Sequence, residues 1–223
     1  MRYGYLVFSL LLFAAPATAA ILDASDYDAS RFLPPPPAEG SARTKAELNE
    51  LRGLAASSSA ERKAAATHDA KDETPDIFNA AIGFDIATAP QTQKLLQMVV
   101  EEEDQDSKAA KAYFQRLRPY SVDAALKPCE PTKPGKVANS YPSGHATLAY
   151  SMGIVLAGLL PDKAQAILAR ASEYSENRLV CGVHYRSDIV AGQQFGTILA
   201  LRLMQKPAFQ VQLAAAQAEL KDR

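Results

Sequence analysis

Neither sign of charge is in surplus in this chain: 24 Lys and Arg stand against 25 Asp and Glu over 223 residues, a formal net charge of -1. No long basic run occurs either, so nothing points to nucleic acid or an anionic membrane surface as a partner, and any attraction for anions has to be local. Strand-like alternation of apolar and polar residues is missing, which argues against a sheet. Hard metal ligands are not clustered as two-metal sites require. The acidic runs are DASDYD near the start and EEEDQD at Glu101 to Asp106; both lack the glycine and closing glutamate of a calcium loop and read as solvated charge. No metal and no cofactor is expected. Histidine occurs only three times and cysteine twice.

The chain does carry an apolar leader. MRYGYLVFSLLLFAAPATAA has an early Arg2, an apolar stretch from Tyr5 to Ala15 and an A-x-A end at Ala17 to Ala19, the pattern of a cleaved signal peptide over residues 1–19. A retained anchor is the alternative, but the stretch is shorter than the roughly 20 residues a span needs. Export to the periplasm or medium is expected, and in an oxidising compartment two thiols in one small domain more often pair than stay free. A disulfide between Cys129 and Cys181 is therefore predicted, two buried thiols being the alternative.

Residues 20–41 hold the run Pro34 to Pro37 and read as an extended lead-in. From residue 42 to residue 223 helix signals dominate. KAELNELRGL comes first, then Ser59 before AERKAAATHDA, then Thr74 and Pro75 opening DIFNAAI. QTQKLLQMVVEEEDQ and SKAAKAYFQRL read as two helices, the second closed by Pro119. ATLAYSMGIVLAGLL is apolar on nearly all sides and suits a central buried helix better than a membrane span. DKAQAILARASEYSENR, SDIVAGQQFGTILALRLM and AFQVQLAAAQAELK follow. The fold class predicted is all-α, one single-domain helical bundle. The alanine-rich tail can pack on its own domain or on a second copy, which leaves a homodimer open.

Three separated segments hold residues that make chemical sense together. In KAYFQRLRP, Lys111 and Arg118 are seven apart, which on one helix puts both cations on one face. In YPSGH, Ser143 offers a hydroxyl, Gly144 lets a ligand approach the backbone, and His145 sits at a helix start, where free N–H groups attract anions. In ENRLVCGVHYRSD, Arg178 supplies a planar fork of donors, and His184 can meet Asp188 by a hydrogen bond. Each piece alone has a plain structural reading as a solvated face, a cap or a satisfied core histidine. Their convergence describes an oxyanion pocket with two histidines. His68, on a polar-looking helix, reads as surface.

These residues carry a resemblance. K-x6-RP (Lys111 to Pro119), PSGH (Pro142 to His145) and R-x5-H-x3-D (Arg178 to Asp188) resemble the three-part motif of the type 2 phosphatidic acid phosphatase superfamily, which includes vanadium haloperoxidases. The lead-in prolines, NSYPSGHA and RLVCGVHYRSD look like its bacterial class A non-specific acid phosphatases, over roughly Leu33 to Gly192. The resemblance implies a helical bundle and metal-independent hydrolysis of small phosphate monoesters through a phosphohistidine. It implies His184 as nucleophile, Asp188 as its orienting carboxylate, and His145 as acid and then base. Lys111, Arg118, Ser143, Gly144 and Arg178 are implied to hold the phosphate. Asn177 stands where relatives usually have Ser, and Tyr185 where they often have Trp; Tyr185 bears on substrate preference. The alternatives are a phosphatase for one lipid or sugar phosphate, a vanadate-dependent haloperoxidase, and a non-catalytic anion binder, the last disfavoured by two histidines accompanied by a carboxylate.

Overall fold

Short polar side chains start the early helices, because a serine, threonine or aspartate oxygen can accept from an otherwise unpaired N–H of the first turn. The computed structural model describes residues 20–23, 27–132 and 139–221; the expected leader at 1–19 lies outside the described residues. Asp28 caps α1 (Ala29–Phe32), Ser41 caps α2 (Ala42–Ser57) and Ser59 caps α3 (Ala60–Asp69). Thr74 and Pro75 open a 3-10 turn that leads into α4 (Asn79–Ile82), as their order predicts. After them come α5 (Pro90–Phe114), α6 (Pro119–Val122), α7 (Gly144–Leu159), α8 (Ala164–Val180), α9 (Arg186–Leu203) and α10 (Pro207–Leu220). Among the described residues there is no strand, and the all-α class holds.

The two helices expected between Gln91 and Leu117 are one, α5. Nothing breaks it at the acidic run, since Ser107 hydroxyl donates to the Glu103 carboxylate one turn earlier. Nor is that run simply solvated: Glu102 and Glu103 are buried. The helix ends before Pro119, at Gln115, whose φ of 50° is left-handed. Lys111 and Arg118 consequently do not share a helix face. Arg118 immediately precedes α6 and reaches the site from the connection.

Helix α7 is the centre, packed against α5, α8 and α9, with Ala149, Met152 and Leu156 fully buried. Its contact with α9 is backbone-close: a Cβ on Gly196 would lie 2.2 Å from the Thr147 carbonyl, and one on Gly192 would lie 2.6 Å from that of Ser143. Gly196→Ala is expected to force the two helices apart and cost at least about 1–3 kcal/mol, read as a lower Tm with loss of activity; an unchanged Tm would contradict this packing.

The peripheral segments are tied down. The Tyr27 ring stacks on Phe195 at 4.0 Å and its hydroxyl donates to the Phe195 carbonyl, fixing the lead-in to α9. Tyr141 hydroxyl donates to the Pro34 carbonyl in the proline run, which forms no helix. The tail helix α10 packs on α5 of its own chain, where the Glu219 carboxylate accepts from the Gln91 and Thr92 N–H groups at the helix start. Cys129 and Cys181 form a disulfide, as predicted. No helix among the described residues is long and apolar enough to cross a membrane.

Candidate active site

Two turns and one helix start bring the candidate residues together. Ser143 caps α7 through its Oγ, which leaves Gly144 and His145 in the first turn, facing outward from the core. Further along the chain, Cys181 ends α8 and Gly182, at φ 65°, turns the chain, and Val183 and His184 line the same cavity as the α7 start. Lys111 comes from the last turn of α5 and Arg118 from the connection after it. The result is a cavity of about 230 Å³ lined by Glu73, Lys111, Arg118, Gly144, His145, Arg178 and His184, with residues of the 128–132 loop at its rim. Ser143 and Asp188 are fully buried behind this wall. His68 is on the surface, with 78% of its side chain exposed.

Burial, then the neighbouring Arg118, Arg178 and Lys111 charges, push the His184 imidazole well below the ordinary histidine range, so it is neutral. Its tautomer follows from its neighbours. Arg118 Nη1 lies 3.3 Å from Nε2 and can only donate, so Nε2 accepts and the ring proton is on Nδ1. Nδ1 is buried 3.4 Å from Asp188 Oδ2 but outside hydrogen-bond geometry. The bond expected between these residues is a close approach here. Asp188 is occupied by other donors: Arg116 on Oδ1, and Ser140 hydroxyl and Tyr185 N–H on Oδ2.

His145 stacks on Tyr174 at 5.5 Å and lies with Nδ1 2.9 Å from a Glu73 oxygen. Burial and Arg178 hold its pKa below the ordinary value, while Glu73 raises it. The bond from His145 holds the Glu73 carboxyl down at about 2. Arg178, almost wholly buried, gives Nη2 to Glu130 at 2.7 Å, whereas its Nε and Nη1 are buried without a hydrogen-bond partner. Glu130 adjoins Cys129, so the disulfide pins this carboxylate at the end of α8. Gly144 brings the backbone close to Lys111: a Cβ there would lie 2.8 Å from Nζ and would push that ammonium aside. Burial pushes the Glu103 carboxyl beside it up to about 7.

Glu73 and Glu130 are site residues that sequence reasoning missed. Asn177, one of the two departures, faces away from the cavity: its amide donates to Asp69, itself paired with Arg170, and ties α8 to α3. Tyr185, the other, is buried under the Arg116 guanidinium, 3.9 Å from ring centroid to Cζ, and does not line the cavity.

The described residues are all-α, and three cations and two imidazoles line one small cavity, a lining suited to an oxyanion. The chain belongs to the PAP2 superfamily, whose model matches residues 94–211. It is 31% identical to the non-specific acid phosphatase of Salmonella typhi, over all of this chain and 94% of that one. The non-specific acid phosphatase of Providencia stuartii is 30% identical over 86% of this chain and 80% of its own length. The acid phosphatase of Zymomonas mobilis is 36% identical over 72% of this chain and 63% of its own. With relatives of this kind matching over its full length, the chain is a class A-like acid phosphatase of the superfamily. The fold is shared with a transmembrane PAP2 type phosphatidylglycerolphosphate phosphatase from Bacillus subtilis, at a TM-score of 0.55 and 17% identity over 73% of this chain and 85% of that one.

Proposed function

We propose that this phosphatase hydrolyses small phosphate monoesters to alcohol and inorganic phosphate by way of a phosphohistidine on His184, without a metal ion and outside the cytoplasm. The observation that carries the reading is buried Arg178, which lines the same cavity as a neutral His184 and keeps two donors without a partner. Buried donors are costly unless something accepts from them, and a phosphoryl group brings three acceptor oxygens.

In this scheme Lys111, Arg118, Arg178 and the Gly144 N–H hold the equatorial oxygens, with Ser143 supporting the turn from behind. As Arg118 moves its bond onto phosphate it releases His184 Nε2, whose lone pair forms the N–P bond as the ester P–O bond breaks. The charge that develops on the ring draws Nδ1–H onto Asp188, a contact already at 3.4 Å. His145 gives its proton to the leaving alkoxide and later takes one from the water that attacks the phosphohistidine. A bound dianion opposes the Arg178 effect on His145 and adds to that of Glu73, so substrate itself favours the protonated acid. The cluster of cations does the charge stabilisation that phosphoryl transfer chiefly needs, and it repels a divalent metal from the same place.

Export is supported by the apolar leader and by the disulfide, which suits an oxidising compartment. The test of function is hydrolysis of p-nitrophenyl phosphate in excess EDTA across pH 4 to 8. Undiminished turnover with an optimum on the acid side of neutral is expected, since His184 is neutral there while His145 can still hold its proton. Loss of activity in EDTA with recovery on adding a divalent metal would overturn the scheme, as would a rate that climbs steadily above neutral pH.

A further inference from the structure

Two arginines stand two residues apart in the Arg116-Leu117-Arg118 stretch after the left-handed Gln115; Arg118 meets His184 at Nε2, and Arg116 meets the Asp188 carboxylate that lies nearest His184 Nδ1. Arg118 lines the cavity; Arg116 does not, and is 8% exposed. We propose that Arg116 is a positioning residue for phosphoryl transfer: its guanidinium, itself held by Glu47 of α2, clamps one carboxylate oxygen of Asp188 so that the other faces His184. The inference rests on the phosphohistidine reading above.

The geometry leaves Arg116 little freedom. Nη1 donates to Asp188 Oδ1 at 2.6 Å and to Ser187 Oγ at 2.7 Å, and Nη2 donates to Glu47 Oε2 at 3.1 Å. The Tyr185 ring backs the guanidinium plane, and the Arg116 carbonyl accepts from Ser140 N–H. Glu47 is fixed in turn, since its two oxygens accept from the N–H and hydroxyl of Ser187 in the first turn of α9. A buried cation shared by two buried carboxylates holds α2, the α5–α6 connection and the start of α9 in one register, and that register sets the distance from Asp188 to His184.

The network also has an electrostatic task. Other ionisable groups around Asp188 are His184 and Tyr185 beside it in sequence, Arg118 of the connection, Tyr141 before α7, and Glu47 beyond Arg116. Burial pushes the Asp188 carboxyl up to about 6, while Arg116, Ser140 and the Tyr185 N–H hold it down. An enzyme that works below neutrality needs this carboxylate ionised, because a protonated Asp188 gives the forming imidazolium no charge to lean on. Removing Arg116 raises the Asp188 pKa further, so the acid limb of the rate profile moves to higher pH. Removing the Glu47 charge has the opposite sign, because it takes a negative neighbour away from Asp188, while a glutamine oxygen can still accept from Arg116 and the shorter bonds to Asp188 and Ser187 keep the cation there.

The test is the pH profile of kcat and KM for the full chain carrying Arg116→Gln, Arg116→Lys or Glu47→Gln. With Arg116→Gln, kcat at pH 5 is expected to fall at least about tenfold, the effect of a one-unit rise in the controlling pKa, and to recover toward the parent's near pH 7.5. KM is expected to change little, since Arg116 does not line the cavity. Arg116→Lys restores part of the acid-side rate by keeping the charge, and Glu47→Gln shifts the acid limb down. If Arg116→Gln folds and its acid limb coincides with the parent's, the proposal is overturned. If Arg116→Gln does not fold, a Glu47→Gln profile identical to the parent's overturns it. A parent inactive on every phosphate ester tested would instead overturn the functional reading itself, and the proposal with it.

Discussion

Replacing His184 with alanine is expected to lower turnover of any phosphate monoester by about 1000-fold or more, because the proposed scheme puts the phosphoryl group on this ring. The imidazole is kept unprotonated by burial and by Arg118, Arg178 and Lys111, whereas both nitrogens of the cavity's other imidazole, His145, already face Glu73 and the Ala70 carbonyl. Stability should fall by less than activity does: the buried ring leaves a small cavity and Arg118 loses one acceptor, but Nδ1 makes no hydrogen bond and Arg118 keeps the Val183 carbonyl. Phosphate or vanadate binding should survive as well, since all the cations remain. Activity measured beside a thermal melt and vanadate inhibition separates these effects. A variant that keeps turnover within tenfold of the parent would mean that water, not His184, attacks phosphorus.

His145→Ala is expected to be nearly as damaging, but in a manner that depends on the substrate. Alkyl phosphates need a proton on a poor leaving group, so their turnover should drop by about 10²–10⁴-fold, the usual worth of a positioned acid. p-Nitrophenolate leaves without help. With that ester the first half of the reaction should proceed and the second should stall, because the attacking water has lost its base. A burst of nitrophenol equal to the enzyme concentration, then a slow steady rate, is the expected trace. Equal losses for alkyl and aryl esters with no burst would remove His145 from both roles. Glu73 fits this assignment: bound to His145 Nδ1 at 2.9 Å, it favours the protonated ring, although 63% of its own side chain is exposed.

Much of this site was legible because its residues announce their chemistry by type and by local context. Pro-Ser-Gly-His before an apolar run marks a helix start with a histidine in its first turn, and the structure has both in that place. The α7 helix was legible for a similar reason, being buried on nearly all sides and so free of polar positions. What was hidden depends on backbone turns and on long-range pairing. The convergence of Lys111 and Arg118 is real, but it is produced by a left-handed Gln115 and not by helical periodicity. No pattern rule predicts that conformation at a glutamine. Arg116 sat within a stretch singled out for its neighbours, yet its partners, Glu47, Ser187 and Asp188, are about 70 residues away in sequence. Glu73, Glu130 and Glu47 carry no signal of their own: in sequence each is an acidic residue in polar company, the profile of a solvated surface. For Glu130 a clue did exist in Cys129 beside it, since a disulfide to Cys181 fixes that loop next to Arg178.

The same physics separates the cavity from the support behind it. Arg178 keeps two donors unpaired, and in the proposed scheme a phosphate oxygen accepts from them. Asp188 accepts from three donors, which fix its position and leave capacity for the His184 ring proton.

The most direct test is to mix enzyme with phosphate-labelled substrate in EDTA, quench in alkali within milliseconds and map the label. An acid-labile, alkali-stable phosphoryl group on the peptide containing His184, absent from His184→Ala, is the predicted result. Full steady-state turnover with no label on the protein at any time point, or label on a different residue, would contradict the account.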